Sequence, residues 1–490
     1  MKKIKFLILT FILTLSFVSC ENEFLDTEPE ESISGEQVAS APAANEAIIN
    51  GIYANLRTFG IGNPGRVDTD YGHKGITAGY DMMAQDIVLN NFNWYIFFYN
   101  YNGIQQTSSR TRITWVTYYS VIADANSVIN GLQDKTDRTP EEDALLGQAL
   151  AIKSFCLFNL IRVYAFTYIG HESDPGVPIP DRIDFDSKDR GTVQDVYDQI
   201  IPDLQTAVTL LNGFTRDNKQ QIDQSVARGI LANVYLETGN WTGAEENARL
   251  ARTSYSLMTG EEWATGGFDV ISNVEWMWGA DIDSESSTTF PSFFSHFDSF
   301  SGGYAGVTGG HKLIDARLWN AVPDTDIRKT AFVDPDNNTT DFPDYTNTKF
   351  VDQTGTFEGD YVYMRASEML LIEAEAKARL GDPTAAAVLF ELVSTRDTGY
   401  TQSTSTGSDL VDEIYFQRRI ELWGEGVSWF DLKRLKLPLN RTGEGSNHMD
   451  FGKFDLEAES NSFRMQIPEA ELNSNENINV NDQNPAPVVN

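Results

Sequence analysis

Two glutamates one helical turn apart, Glu421 and Glu425, sit in the stretch FQRRIELWGEGVSWFDLKR at residues 416–434. Paired carboxylates about 5–5.5 Å apart can cleave a glycosidic bond with retention. Such an enzyme needs its two carboxylates to flank the scissile bond. A spacing of four on one helix instead puts both on one side, beside Ile414, Leu422 and Trp429. Arg418 stands three residues before Glu421, within pairing reach on a helix. The stretch therefore reads as a partly buried ion network of Arg418, Glu421 and Glu425, with arginine's fork satisfying the carboxylates. No residue is assigned a catalytic role.

Other reactive patterns fail on spacing. His73, His171, His296, His311 and His448 are far apart, and neither HExxH nor GxSxG occurs. GIGNPG at residues 60–65 matches a phosphate-loop pattern in form only, because it follows a helical stretch, contains Pro64 and opens no helix. DPDNN at residues 334–338 begins like a calcium loop but has Tyr345 where a bidentate glutamate is needed. No cofactor is expected, although the acidic loops leave room for a structural calcium ion.

The aromatic runs point elsewhere. NFNWYIFFYNY (residues 91–101) and PSFFSHFDSFSGGYAG (residues 291–306) show neither helical periodicity nor clean alternation. Aromatic faces stack on the C–H faces of sugar rings, and nearby Asn, Asp and His hold the hydroxyls. The candidate ligand contacts are Asp81, Asn93, Trp94, Tyr95, Tyr99, Phe293, His296 and Tyr304. Phe97, Phe98 and Phe294, with no polar handle, are expected in the core. NVEWMWGADI at residues 273–282 alternates as a strand, which sends Trp276 and Trp278 inward.

These runs need a scaffold, and helical patterns surround them. Apolar stripes recur at residues 44–59, 116–132, 141–170 and 192–211, the last behind a Thr192 cap. Residues 225–254 and 363–399 each read as helix, short turn, helix, with small residues such as Ala227, Ala232, Ala244 and Ala248 at the approach. That pattern is similar to tetratricopeptide repeats, which stack helix pairs against a concave side. The predicted fold class is mainly α: tetratricopeptide-like helical repeats with a large, irregular, loop-rich inserted subdomain. The expected divisions are an N-terminal helical-repeat region at 41–258 with a loop at 60–109, an irregular insert at 259–357, and C-terminal helical repeats with a closing segment at 358–490. Loops this long inside a protein are usually functional.

Charge and the N-terminus bound the partners. A net charge of −34 repels nucleic acid and anionic lipid headgroups. Residues 1–19 combine three lysines with a short apolar run ending just before Cys20, the length of a signal peptide and too short to span a bilayer. Cys20 reads as a lipid attachment site, followed by a polar tether at 20–40, and no later segment reads as membrane-spanning. Cys156 lies in an apolar helical stretch and reads as core.

Taken together, SCENEFLDTEP, DTDIR, YMRASEMLLIEAEA, RRIELWGEGVSWFDLKR and the closing RMQIPEAELNSNENINVNDQNP resemble the SusD/RagB family of Bacteroidetes nutrient-uptake lipoproteins. One departure is Ser474 after Asn473, where many members carry proline. The resemblance implies a surface-exposed outer-membrane lipoprotein anchored through Cys20. It implies a non-catalytic protein that pairs with a SusC-like TonB-dependent transporter and captures oligosaccharide or, in some members, peptide. It also implies that the ligand site lies in the two irregular regions and that the Arg/Glu stretch is scaffold.

Overall fold

The computed structural model describes residues 42–63, 67–180 and 187–488. The signal and tether readings, with Cys20, lie outside those residues.

Eleven longer helices and four short strands set the frame. The helices are α1 (Pro42–Asn55), α2 (His73–Met83), α3 (Ser109–Leu132), α4 (Pro140–Tyr164), α5 (Val193–Leu210), α6 (Gln224–Thr238), α7 (Trp241–Arg252), α8 (Ala366–Leu380), α9 (Ala385–Val393), α10 (Gly407–Glu421) and α11 (Ser428–Arg434). The strands are β1 (Ile87–Leu89), β2 (Trp276–Ala280), β3 (Lys312–Ile314) and β4 (Tyr361–Arg365).

Helices begin where side chains can satisfy the orphan amides of a first turn. Thr139 caps α4 in a reciprocal pair with Glu142, and Thr192 caps α5 with Asp195. Asp223 caps α6, and Gly239, at φ 73°, ends it in the left-handed region before α7 starts. Ala227, Ala232, Ala244 and Ala248 are fully buried between these two helices, as the spacing requires. Successive helices pack on one another from α3 through α8, and α8 also meets α9 and α10. The C-terminal helices thus continue the N-terminal stack, and the chain between α7 and α8 loops out of it.

Helix α4 passes the length and hydropathy requirement for crossing a bilayer, contrary to the sequence reading. However, 94% of its most apolar window is buried inside the protein, so α4 is the stack's central core helix. Cys156 on this helix is a free, fully buried thiol.

The region 60–109 is less irregular than expected, because it contains α2, all eleven residues of which are buried. Two glycines and an N-cap without a side-chain bond give that helix little intrinsic propensity. Burial supplies what propensity does not, and the glycines fit close neighbours: a Cβ on Gly79 would lie 2.7 Å from the Phe98 ring. Antiparallel pairing of β1 with β3 puts Ile87 opposite Ile314 and Leu89 opposite Lys312, so the two irregular regions share one small sheet. Pairing of β2 with β4 ties the insert to the start of α8. Trp276 and Trp278 are buried as expected, but Met277 between them is buried too, so the strand is enclosed on both faces and does not alternate in exposure.

Two glycine substitutions test this packing in opposite directions. Gly51 lies on the exposed side of α1, and an added Cβ meets nothing within 4 Å. Gly51→Ala should raise unfolding free energy by about 0.5–1 kcal/mol in a denaturant titration. A Cβ on Gly279 would lie 2.6 Å from the Tyr361 carbonyl oxygen, so Gly279→Ala should lower it by about 1–3 kcal/mol.

Candidate functional site

Helix α10 ends at Glu421. Residues 422–427 then form a turn in which Gly424 (φ 78°) and Gly426 (φ 94°) take backbone conformations that L side chains avoid. Glu425 is therefore in the turn and shares no helical face with Glu421, which corrects the spacing argument. The two carboxylates meet instead on Arg365, at the end of β4. Its Nη1 lies 2.7 Å from Glu421 Oε1, and its Nε lies 2.7 Å from Glu425 Oε2.

Arg365 Nη1 also reaches Glu275 at 2.5 Å. Arg396 bridges Glu275 and Glu421 at 3.1 Å each, Arg328 bridges Glu421 (3.1 Å) and Asp326 (2.6 Å), and Lys349 contacts Glu425 at 2.7 Å. Arg418 does not pair with Glu421 as expected; its Nε lies 2.7 Å from Asp431 on α11. Its direction follows the turn, which brings Asp431 on α11 within its reach.

Burial opposes ionisation of Glu421, but the guanidiniums of Arg396, Arg365 and Arg328 outweigh it and hold the carboxyl well below the usual carboxylate range. For Glu425 burial is likewise outweighed, by Arg365 and Lys349. A carboxyl locked in its ionised form has no proton to give a leaving group, and Glu421 is 0% exposed. This centre is structural.

The aromatic runs meet at the surface. Asn90 and Asn91 donate side-chain N–H bonds to the Gly309 carbonyl, both at 2.9 Å, which holds residues 90–94 against the short helix Tyr304–Thr308. The Trp94 and Tyr304 rings then lie edge to face, 6.3 Å between centroids, and both are half-buried. Phe290 adds a ring 5.1 Å from Tyr304. The Tyr304 hydroxyl donates to Asp68, and the ring's inner face stacks on His296 at 4.9 Å. Phe92, Phe97 and Phe300 stand 71%, 42% and 56% exposed. The Arg110 guanidinium lies 4.3 Å from the Phe97 ring and donates to the Trp94 carbonyl at 3.2 Å.

Of the eight expected contacts, Trp94 and Tyr304 face this shelf. Asn93 borders it and caps Tyr95, accepting that residue's amide at 3.0 Å. The other five are buried, because each hydroxyl, carboxylate or ring finds an internal partner. The Tyr95 hydroxyl meets that of Tyr71 at 2.5 Å. The Tyr99 hydroxyl bonds His448. Phe293 stacks on Phe297 at 4.4 Å, beneath the Lys74 ammonium. His296 donates its Nε2–H to the Asp68 carbonyl at 2.9 Å; burial, with Lys312 nearby, pushes its pKa down to about 3, so the ring is neutral. Asp81 accepts the amides of Gly426 (2.6 Å) and Ser428 (3.0 Å), pinning α2 to the glycine turn.

Phe98 and Phe294 are in the core, but Phe97 is not: its neighbours on the short helix Ile96–Tyr99 fill the interior, and its ring packs on Arg110 at the surface. Sequence reasoning missed Asp68 and Phe290, each just outside a quoted run. Among the described residues, no three His, Cys, Asp or Glu side chains gather as around a metal ion.

Two family models match the chain, one described as starch-binding associating with outer membrane, over residues 23–236, and the SusD family model over residues 325–486. The chain belongs to the SusD/RagB family. It is 24% identical over 507 residues to SusD-like protein P38 of Formosa agariphila, covering 89% of this chain and 92% of that one. A SusD-like carbohydrate binding protein of Bacteroides vulgatus superposes with a TM-score of 0.78 and 26% identity, over 91% of this chain and 99% of the other. A laminarin-binding SusD-like protein superposes with a TM-score of 0.67 at 18% identity, over 91% and 99% of the two chains.

Replacing Glu421 by Gln leaves three buried guanidiniums short of a counter-charge and should cost about 3–5 kcal/mol. Because folding lowers the carboxyls of Glu421 and Glu425, their stabilisation is complete above the unfolded value of 4.5 and is lost as pH falls below it. Unfolding free energy measured from pH 6 to pH 3 should fall with a shallower slope in Glu421→Gln than in the native protein.

Proposed function

We propose that this protein is a surface glycan-binding lipoprotein, anchored through Cys20, that captures oligosaccharide and delivers it to a TonB-dependent outer-membrane transporter without cleaving it. The carrying observation is the Trp94–Tyr304 shelf, two half-exposed rings from segments about 200 residues apart in sequence, bordered by amide and carboxylate groups. Ring faces bind the apolar side of a pyranose, while Asn91, Asn93 and Asp68 lie near enough to meet its hydroxyls. The reading is supported by the carbohydrate-binding and laminarin-binding neighbours, and the outer-membrane description of one matching model supports the location.

A few stacked rings with a handful of hydrogen bonds provide about 4–8 kcal/mol, a Kd from roughly millimolar to micromolar. That range suits capture followed by hand-off. A hydrolytic role for Glu421 and Glu425 has no physical support, since both carboxylates are enclosed by cations.

Calorimetry and affinity electrophoresis against a panel of oligosaccharides test the proposal. A member of the panel should bind in the stated range, remain uncleaved, and lose about tenfold or more in affinity with Trp94→Ala or Tyr304→Ala at unchanged circular dichroism. Binding of peptides alone would overturn the glycan reading. Binding of a glycan unaffected by either substitution would move the site elsewhere.

A further inference from the structure

The shelf stands out from the rest of the chain by its charge. Across the protein 22% of residues are charged and the net charge is −34. Residues 87–109, which supply Phe92, Trp94 and Phe97, contain no Asp, Glu, Lys or Arg. Residues 286–311, which supply Phe290, Phe300 and Tyr304, contain Asp298 alone. Asp298 is 2% exposed and spends its carboxylate on the amides of Phe300 and Asp352, at 2.8 and 3.0 Å.

The cations flanking these segments are turned inward. Lys312 is fully buried, with its ammonium 2.7 Å from the Gly310 carbonyl and beneath the rings of Tyr95 and Phe297. Arg110 is 7% exposed and directs its guanidinium to Ser109, the Trp94 carbonyl and the underside of Phe97. Among the described residues, the charged group bonded to the shelf's rings is a carboxylate, that of Asp68, which accepts the Tyr304 hydroxyl.

Resting on the glycan reading above, we infer that the shelf selects an uncharged polysaccharide and rejects uronate- and sulfate-bearing chains. Recognition of a carboxylate or sulfate calls for an arginine fork or a lysine ammonium at the ligand face. Among the described residues of the two segments none is offered there. A polyanion on the shelf faces the carboxylate of Asp68 and the field of a strongly acidic protein behind it. A neutral chain meets neither penalty. Its rings cover Trp94, Tyr304 and Phe290, and a hydroxyl donates to the acceptor oxygen of Asp68.

The test is calorimetric titration of the mature chain with neutral polysaccharides (laminarin, pullulan, xyloglucan, galactomannan) and with anionic ones (alginate, polygalacturonate, κ-carrageenan), each at about 20 and about 500 mM NaCl. Binding confined to the neutral set, changing less than about twofold with salt and reduced by Trp94→Ala, is the expected result, because an uncharged ligand has no screened attraction to lose. Binding of an anionic member that weakens about tenfold or more with salt and is reduced by Trp94→Ala would overturn this inference while leaving the glycan reading intact. Binding of neither set would overturn both.

Discussion

The structure turns on the guanidinium of Arg365. It is fully buried where the last residue of β4 meets the first turn of α8, and it holds Glu275, Glu421 and Glu425 at once. Around it Arg328, Arg396 and Lys349 answer the same carboxylates together with Asp326, so four cations face four anions. Taking that many charges out of water is expensive, and their mutual attraction repays it only when the geometry is good and few lone pairs are left over. The members come from the insert, from β4, from Arg396 three residues beyond α9, and from the end of α10 and the turn after it. The cluster is stable only when all of these are in place, which makes it the joint that locks the looped-out region onto the helical stack.

The position of the aromatic shelf follows from that joint. Glu425 can reach Arg365 because Gly424 and Gly426 turn the chain sharply after α10. The same turn presents the amides of Gly426 and Ser428 to Asp81, and so fixes α2. Arg419 on α10 reaches Asp86 at 2.5 Å, and the Trp423 indole donates to the Asp86 carbonyl, fixing the entry to β1. From β1 the chain runs directly into residues 90–94, already paired through β3 to the segment that carries Tyr304. A rigid ionic centre and a polar, aromatic surface are thus linked by one short strand, with the chemistry of ligand contact kept well apart from the charges that hold the fold.

Much of the helical stack was legible in the chain. Helices that begin at a Thr cap or end at a left-handed glycine declare themselves locally, as α4, α5, α6 and α8 do. Alternation located β2, and the apolar context of Cys156 marked core. Helix α2 was not legible, since two glycines and no capping side chain hide a helix that exists because its surroundings enclose it. The break in RRIELWGEGVSWFDLKR is masked in the same way: the i,i+4 spacing of Glu421 and Glu425 suggests a shared face, although the two glycines between Trp423 and Val427 mark a turn.

The aromatic run at residues 91–101 shows the limit most clearly. Composition alone identified it as a segment with exposed rings, and Trp94 does face the shelf. Yet Tyr95 and Tyr99, equally amphipathic, are buried because their hydroxyls find hydrogen-bond partners inside, Tyr71 and the Gly75 carbonyl for the first and His448 for the second, while apolar Phe97 is left outside. The quoted motifs pointed to the family, and residue type and periodicity determined the helical architecture and the two aromatic-rich regions. Which side of each ring meets water was decided only by the tertiary structure, because it depends on whether a partner from far along the chain can satisfy the polar end inside.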